Sequence, residues 1–146
     1  MPPDPTGLLA REAASLVERL RLWTPARWAA AAPVLGTRAD VVHHLAQRLA
    51  DAAADVEGTP RRPLPRLDSD LALPDQLAVT ADDLGRRARA DEVAVAATAH
   101  LLLHRAHLLG EDVPAGLART LGVTDVLAAG AVACVAGRED PAARPS

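Results

Sequence analysis

The sequence predicts an all-α protein, and two of its features lead to that fold class. Hydrophobic residues make up 49% of the chain but aromatic residues only 1%, with no Phe or Tyr, so the core must consist of Leu, Val and Ala. Such a composition favours closely packed helices over a sheet, which is usually rich in β-branched and aromatic side chains. Apolar residues also recur at helical spacing through several long segments. The length of 146 residues suits one domain, which we expect over residues 1–137, with a disordered tail at 138–146.

The first part of the chain contains two long helical patterns with a short one between them. Thr6 is the expected N-cap of a first helix over residues 6–23. A short helix carrying Trp28 follows, because the Thr-Pro pair before it can cap and start a new helix. Thr37 then caps a second long helix over residues 38–56, whose apolar positions follow the helical period.

A stretch without helical periodicity, residues 58–73, precedes the remaining helices. Its prolines fit either an extended recognition segment or, more plainly, a stiff crossover loop between two neighbouring parallel helices. The helices expected after it cover residues 74–87, 91–109, 114–121 and 124–136. Gly110 marks the end of the fourth long helix, and the last two are short additions at the C-terminal end of the domain.

All five histidines fall on two of these predicted helices. His100, His104 and His107 are spaced by four and three positions, so they form one stripe along the fourth long helix. His43 and His44 lie on the second long helix. A helical wheel places His44 at the edge of its apolar face and turns His43 towards solvent.

This pattern predicts a divalent metal site inside a helical bundle. Two imidazoles at positions i and i+4 can chelate one ion, and a third nitrogen from another helix completes a site with an open position. We expect His44, His100 and His104 to be the ligands, with His107 as a fourth ligand or an outer partner. The sequence does not distinguish Zn, Ni or Fe. The alternative is that these histidines are core residues whose nitrogens bond to a carbonyl or carboxylate.

The charge and the cysteine count exclude several classes of function. The net charge of -3 comes without a basic stripe, so we expect no nucleic-acid partner. No apolar run is long enough for a membrane span, and a cytoplasmic protein is expected. The single Cys134 cannot form an internal disulfide and is expected to be a small buried hydrophobe. All of the 16 basic residues are Arg, which indicates a GC-rich, actinobacterial type of genome.

Other residues have simpler interpretations. Trp23 and Trp28 are expected to pack in the core. Asp82 and Asp83 are adjacent on one predicted helix, where neighbouring side chains diverge, so they are expected on a solvated face rather than as an acid/base pair.

Two runs of sequence resemble a known family. The first is Trp-Thr-Pro-Ala-Arg-Trp at 23–28, and the second is Ala-Pro-Val-Leu-Gly-Thr-Arg-Ala-Asp-Val-Val-His-His-Leu-Ala at 32–46. Together they resemble the start of the DinB-like four-helix proteins, and are most similar to the branch containing the N-terminal domain of mycothiol-dependent maleylpyruvate isomerase. The motif histidine of that family falls on His44. Its Glu-x-x-x-His motif on a later helix falls on His100 and His104, with His100 in place of the Glu.

The resemblance implies an up-down-down-up four-helix bundle with a long crossover between the second and third long helices. It also implies a divalent metal held by one His of the second helix and two side chains of the fourth. Two substitutions depart from the family, since His100 replaces Glu and His107 replaces Asp. The separate C-terminal domain of the isomerase has no counterpart in this sequence, so isomerase activity is not expected.

Three functions follow from these observations. The first is a metal-dependent transferase that uses a low-molecular-weight thiol such as mycothiol on a small electrophile, with the metal as Lewis acid. The second is a non-catalytic metal-binding protein. The third is a metal-free helical interaction module, a homodimer through the apolar helix predicted at residues 124–136.

Overall fold

The computed structural model describes residues 4–32, 35–88 and 91–111. The helices are α1 (Pro5–Leu20), α2 (Pro25–Ala29), α3 (Arg38–Glu57), α4 (Leu73–Arg87) and α5 (Asp91–Leu109). A 3-10 turn at Asp70–Ala72 leads into α4, and a minimal ribbon pairs β1 (Ala31–Ala32) with β2 (Gly36–Thr37). The described part of the chain is therefore mostly helical, as the composition predicts. The helices predicted at 114–121 and 124–136, Cys134 and the tail at 138–146 lie outside the described residues.

Helix α1 begins earlier and ends earlier than the sequence pattern predicts. Its N-cap is Asp4, whose carboxylate accepts hydrogen bonds from the backbone N–H and the hydroxyl of Thr6. The assignment of Thr6 as N-cap was wrong because Pro5 supplies a preorganised first helical residue, which lets the carboxylate before it act as the cap. The helix ends at Leu20, and Trp23 lies beyond it.

The corner after α1 is filled by the two tryptophans. Trp23 and Trp28 meet edge to face, with ring centroids 4.9 Å apart and planes at 62°. Both are buried, and Trp28 is 1% exposed. Their predicted place in the core is confirmed.

The start of α3 is fixed by a capping box. The Thr37 hydroxyl accepts from the Asp40 backbone N–H at 3.2 Å, and the Asp40 carboxylate accepts from the Thr37 N–H at 3.0 Å. Gly36 has a φ of 113°, and a Cβ there would lie 2.8 Å from the Asp40 carboxylate, so only glycine fits. The predicted cap at Thr37 is confirmed. Gly58, in the left-handed conformation, ends the helix.

The proline-rich stretch after Gly58 is a crossover that lies against α3 and α4. Arg66 bridges Asp40 at the start of α3 and Asp70 just before α4. The Gln76 amide of α4 donates to the Pro65 carbonyl at 2.9 Å. The stretch is therefore a connection held against both of the helices that it joins.

Four long helices share one core. Helix α3 packs against α4 and α5, and α1 packs against the same two helices. The core consists mainly of Leu, Val and Ala, with the two tryptophans at one corner. None of the helices in the described part of the chain combines the length and the apolar character that a membrane crossing needs.

The capping box generates a prediction about stability. Burial raises the pKa of the Asp40 carboxyl, but the hydrogen bonds from Thr37 and Arg66 outweigh it and hold that pKa below its ordinary value. A lowered pKa stabilises the fold above the ordinary carboxyl pKa, and this contribution is lost as the pH falls through the folded value. We expect Asp40→Asn to lower the free energy of unfolding at pH 7 by about 0.5–1 kcal/mol. The difference from the native chain should shrink below about pH 4 in denaturant titrations.

Asp68→Asn, which neutralises an exposed carboxylate of the crossover, is the control and should leave stability nearly unchanged. If Asp40→Asn were as stable as the native chain at pH 7, the carboxylate would not stabilise the start of α3.

Candidate metal site between α3 and α5

Helix α5 is apolar on almost all sides, and this is why its histidines lie at different depths. Its residues 97–109 are all buried or half-buried, and α1 and α3 pack against it, whereas Asp91, Glu92, Val95 and Ala96 in its first turns are exposed. His104 is completely buried, with 0% of its surface exposed, while His100 and His107 are half-buried. The predicted stripe therefore has one member at the centre of the fold and two at its edge.

The structure brings His44 of α3 and His104 of α5 into direct contact. The Nδ1 atom of His44 lies 2.9 Å from the Nε2 atom of His104. The ring planes differ by 18° and the centroids are 5.2 Å apart. That centroid separation is about the nitrogen-to-nitrogen distance plus the two ring radii, so the rings meet edge to edge rather than face to face. This geometry aligns an N–H of one ring with the lone pair of the other.

A backbone carbonyl settles which nitrogens carry protons when both rings are neutral. The Nδ1 atom of His104 lies 2.6 Å from the carbonyl oxygen of His100, one turn earlier on α5. A carbonyl can only accept a hydrogen bond, so His104 carries its proton on Nδ1 and presents a lone pair at Nε2. His44 must then donate from Nδ1 to that lone pair. The chain of bonds runs from the His44 ring through the His104 ring to the backbone of α5.

His100 lines a groove that begins one helical turn away from this contact. The groove follows the seam between α3 and α5 and has a volume of about 460 Å³. Its floor is apolar and includes Leu49, and its rim carries charged side chains. On that rim Arg61 of the crossover bonds to the Asp55 carboxylate of α3 through two nitrogens, at 3.0 and 2.7 Å, and this hydrogen bond keeps the pKa of Asp55 below its ordinary value. Arg48, one turn after His44, also lines the groove.

The donor chemistry of the His44 and His104 pair fits a divalent ion. Two nitrogens bound to one ion at about 2.0–2.1 Å would be about 2.9 Å apart at a right angle and about 3.3 Å apart at the tetrahedral angle. The observed 2.9 Å falls in this range, but the edge-to-edge rings point their nitrogens at each other, so both rings would have to turn before their lone pairs met at one ion. The carbonyl of His100 also fixes the ring of His104 in the tautomer that a metal ligand at Nε2 requires. Within the residues that the structure describes, however, no three His, Cys, Asp or Glu side chains are grouped as metal ligands.

The structure thus unites two of the three predicted ligands. His44 and His104 are in contact, and His100 contributes its backbone carbonyl to that contact while its side chain borders the groove. His107 lies one turn further along α5 from His104. The assignment of His43 to solvent was wrong, because this half-buried ring bonds to the Leu64 carbonyl at 3.0 Å.

Sequence reasoning missed a polar residue near the site. Gln47, one turn after His43, binds the crossover at two points and was not singled out. Its signal was present, since Asp40, His43, Gln47 and Asp51 are spaced by three or four positions and form a polar stripe. The adjacent Asp82 and Asp83 form surface ion pairs with Arg86 and Arg87, in agreement with the solvated face expected for them.

Comparisons of the chain with protein-family models, with curated proteins and with solved structures find no match.

The proton assignments can be checked directly. In chelator-treated protein with neutral rings, we expect Nδ1–H tautomers for His44 and His104, because each donates from Nδ1 in the observed contacts. His43 should be the Nε2–H tautomer, since that nitrogen faces a carbonyl. Long-range proton–nitrogen NMR correlations of the imidazole rings, assigned with single-histidine variants, distinguish the two forms. An Nε2–H tautomer at His104 would contradict the chain of bonds, and His43 serves as the internal contrast.

Proposed function

We propose that this chain is a divalent-metal-binding protein whose four long helices form a DinB-like bundle. The proposed arrangement is up-down-down-up, with the crossover between the two helices that run down, α3 and α4. The ion pair of Arg87 with Glu57 supports a parallel α3 and α4, because it joins the ends of both helices. The ion pair of Arg21 with Asp75 supports an antiparallel α1 and α4, because it joins the end of one to the start of the other.

Contacts of α5 support its direction in the same arrangement. Glu12 of α1 pairs with Arg105, and Arg19, two turns further along α1, pairs with Glu111 just after α5. The later residue of α1 thus contacts the later residue at the end of α5, which supports a parallel α1 and α5. The groove residues of α3, 48–56, come after His44, whereas those of α5, 92–100, come before His104, and this opposite order supports an antiparallel α3 and α5.

The observation that carries the metal proposal is the contact between His44 and His104. Two imidazoles from helices that are distant in sequence place their nitrogens 2.9 Å apart, at positions that the family resemblance marks as ligands. The Nδ1 atom of His44 and the Nε2 atom of His104 would hold the ion, and His100 is the third predicted ligand. A bound divalent ion supplies a Lewis acid at this point. The chain itself orients the His104 ring through the backbone carbonyl of His100.

The direct hydrogen bond favours a second candidate. The contact satisfies one nitrogen of each ring without a metal, and the His100 carbonyl satisfies the other nitrogen of His104. The pair would then be a buried polar link in a metal-free helical interaction module. The two candidates differ at the Nδ1 atom of His44. In the metal-free module this atom carries the proton of the hydrogen bond, whereas in the metal-binding protein its lone pair binds the ion.

Metal analysis separates the two candidates. We expect untagged protein purified without chelators to carry close to one divalent ion per chain, and His44→Ala and His104→Ala to abolish it. His100→Ala should lower the metal content, since His100 is the predicted third ligand. Elemental analysis gives both the content and the identity of the metal.

The control for this experiment is Val42→Ala, which truncates a fully buried side chain of the same helix without touching an imidazole. It should lower stability and keep the metal. Native protein that is metal-free and takes up no added zinc, nickel or iron would overturn the metal proposal in favour of the metal-free module.

The resemblance also supports a reaction. We propose transfer of a low-molecular-weight thiol of the mycothiol type to a small electrophile, with the thiol bound next to the histidine pair. The groove between α3 and α5 supports this, because it begins one helical turn from that pair, at Arg48 and His100, and has room for a small molecule beside its apolar floor.

Calorimetric titration of the metal-loaded native chain with such a thiol should give saturable binding. The same titration on chelator-treated protein and on His44→Ala should give none. Absence of metal-dependent thiol binding would remove the transferase and leave a non-catalytic metal-binding protein.

A further inference from the structure

Helix α3 carries a polar stripe that faces the crossover rather than the core. Asp40, His43 and Gln47 succeed one another at spacings of three and four positions, so they lie on one side of the helix. Each binds the crossover: Asp40 pairs with Arg66, His43 with Leu64, and Gln47 with Leu64 and Arg62. The stripe therefore holds an extended segment along the helix.

Leu64 is the residue on which these contacts converge. Its backbone N–H donates to the Gln47 Oε1 atom at 2.5 Å, and its carbonyl accepts from the His43 Nε2 atom at 3.0 Å. The Gln47 amide also donates to the Arg62 carbonyl at 3.0 Å and to the Asp51 carboxylate at 2.9 Å. Two side chains one helical turn apart thus satisfy both backbone groups of one residue, as a neighbouring strand would.

The Leu64 side chain makes this arrangement rigid. It is partly buried and packs against the hydrophobic core. The two backbone bonds are part-buried, whereas the bond from Gln47 to the Arg62 carbonyl and the ion pairs of Arg61 and Arg66 are exposed. Exposed ion pairs contribute little, while an unsatisfied buried backbone group costs roughly 1–3 kcal/mol. Among the links between the crossover and α3, the bonds to Leu64 therefore contribute most against rotation of α3, in addition to its packing against α4 and α5.

Rotation of α3 matters because His43 and His44 are adjacent. Neighbouring positions point about 100° apart around a helix. Any rotation of α3 about its axis therefore moves both the His43 ring, which binds the crossover, and the His44 ring, which contacts His104. A side-chain atom lies about 5–6 Å from the helix axis, so a rotation of about 20° would displace it by about 2 Å. A contact of 2.9 Å between the His44 and His104 rings would not survive that displacement.

We propose that His43 and Gln47 are positioning residues that set the rotation of α3 through Leu64 and so direct His44 at His104. The effect on the ring contact follows from the geometry alone, and the effect on metal affinity rests on the proposed function. His43 acts by donating its Nε2 proton to a carbonyl, and it has no place among the metal ligands.

The test compares variants of the full chain by NMR of the imidazole rings and by calorimetry with Zn²⁺. In chelator-treated protein, His43→Ala and Gln47→Ala should shift the ring nitrogens of His44 and His104 away from their native values. His43→Gln should restore them, because its amide nitrogen is as many bonds from Cβ as the Nε2 atom and can donate to the same carbonyl. Arg61→Gln is the matched control, since it removes a link between the crossover and α3, the ion pair with Asp55, that does not involve Leu64.

In the same variants, Zn²⁺ binding should weaken by about 10–100-fold in His43→Ala and Gln47→Ala and return towards the native value in His43→Gln. Ring signals of His44 and His104 that stay native in both alanine variants would overturn the proposal. Equal shifts in Arg61→Gln would overturn it too, because general loosening of the crossover would then explain them. Native protein that binds no Zn²⁺ but loses the ring contact in the alanine variants supports the positioning role and refutes only the metal site.

Discussion

The complete burial of one imidazole, that of His104, constrains the arrangement of the helices around it. A buried ring has two nitrogens that need partners, and leaving either unsatisfied costs free energy on the order of 1–3 kcal/mol. The Nδ1 atom donates to the carbonyl of His100, on the same helix. The nitrogen Nε2 needs a partner from elsewhere, and His44 provides it. Burial of His104 therefore requires α3 to pass α5 at one register and with one face turned inward.

The composition of the core explains why this polar contact can specify the register. With so few aromatic residues, the helices pack through Leu, Val and Ala, which are alike in shape and allow several neighbouring registers. A directional hydrogen bond discriminates between such registers better than interchangeable aliphatic contacts do. The crossover adds a second directional constraint about 100° around α3 from His44, where Leu64 is held by its backbone. Helix α3 is thus aligned by polar contacts on two sides and packed by apolar ones between them.

The sequence was most informative where a local rule decides the structure. The bounds of α5 and its end at Gly110 follow from an acidic first turn and a C-terminal glycine, and the start of α3 follows from the cap at Thr37. The start of α1 shows the limit of such rules, because Asp4 and Thr6 both qualify as caps and only the path of Pro5 selects between them. The two-residue ribbon of β1 and β2 has no strand pattern to predict it, since each strand consists of only two residues.

Long-range contacts explain what the sequence could not supply at the candidate site. A helical wheel describes one helix in solvent, so it turned His43 outward, although its partner Leu64 lies 21 positions along the chain. The same wheel chose His44 as the inward residue because apolar neighbours flank it, but the distance to His104 depends on how two helices cross. The carbonyl of His100 as partner of His104 could be suspected from the spacing of four residues, yet only coordinates show which nitrogen faces it.

The energetic balance between the two states of the histidine pair can be argued from these contacts. A net hydrogen bond contributes about 0.5–1.5 kcal/mol, so the proton between His44 and His104 is a weak competitor for a divalent ion. Structural zinc sites with complete ligand sets contribute about 10–16 kcal/mol, far more than the loss of that bond. Two imidazoles alone supply only part of such a ligand set, whereas a third nitrogen would complete a typical open site. Metal binding therefore depends on a third ligand in addition to His44 and His104. His100 is the predicted one: its side chain lines the groove, and its backbone carbonyl already binds the His104 ring.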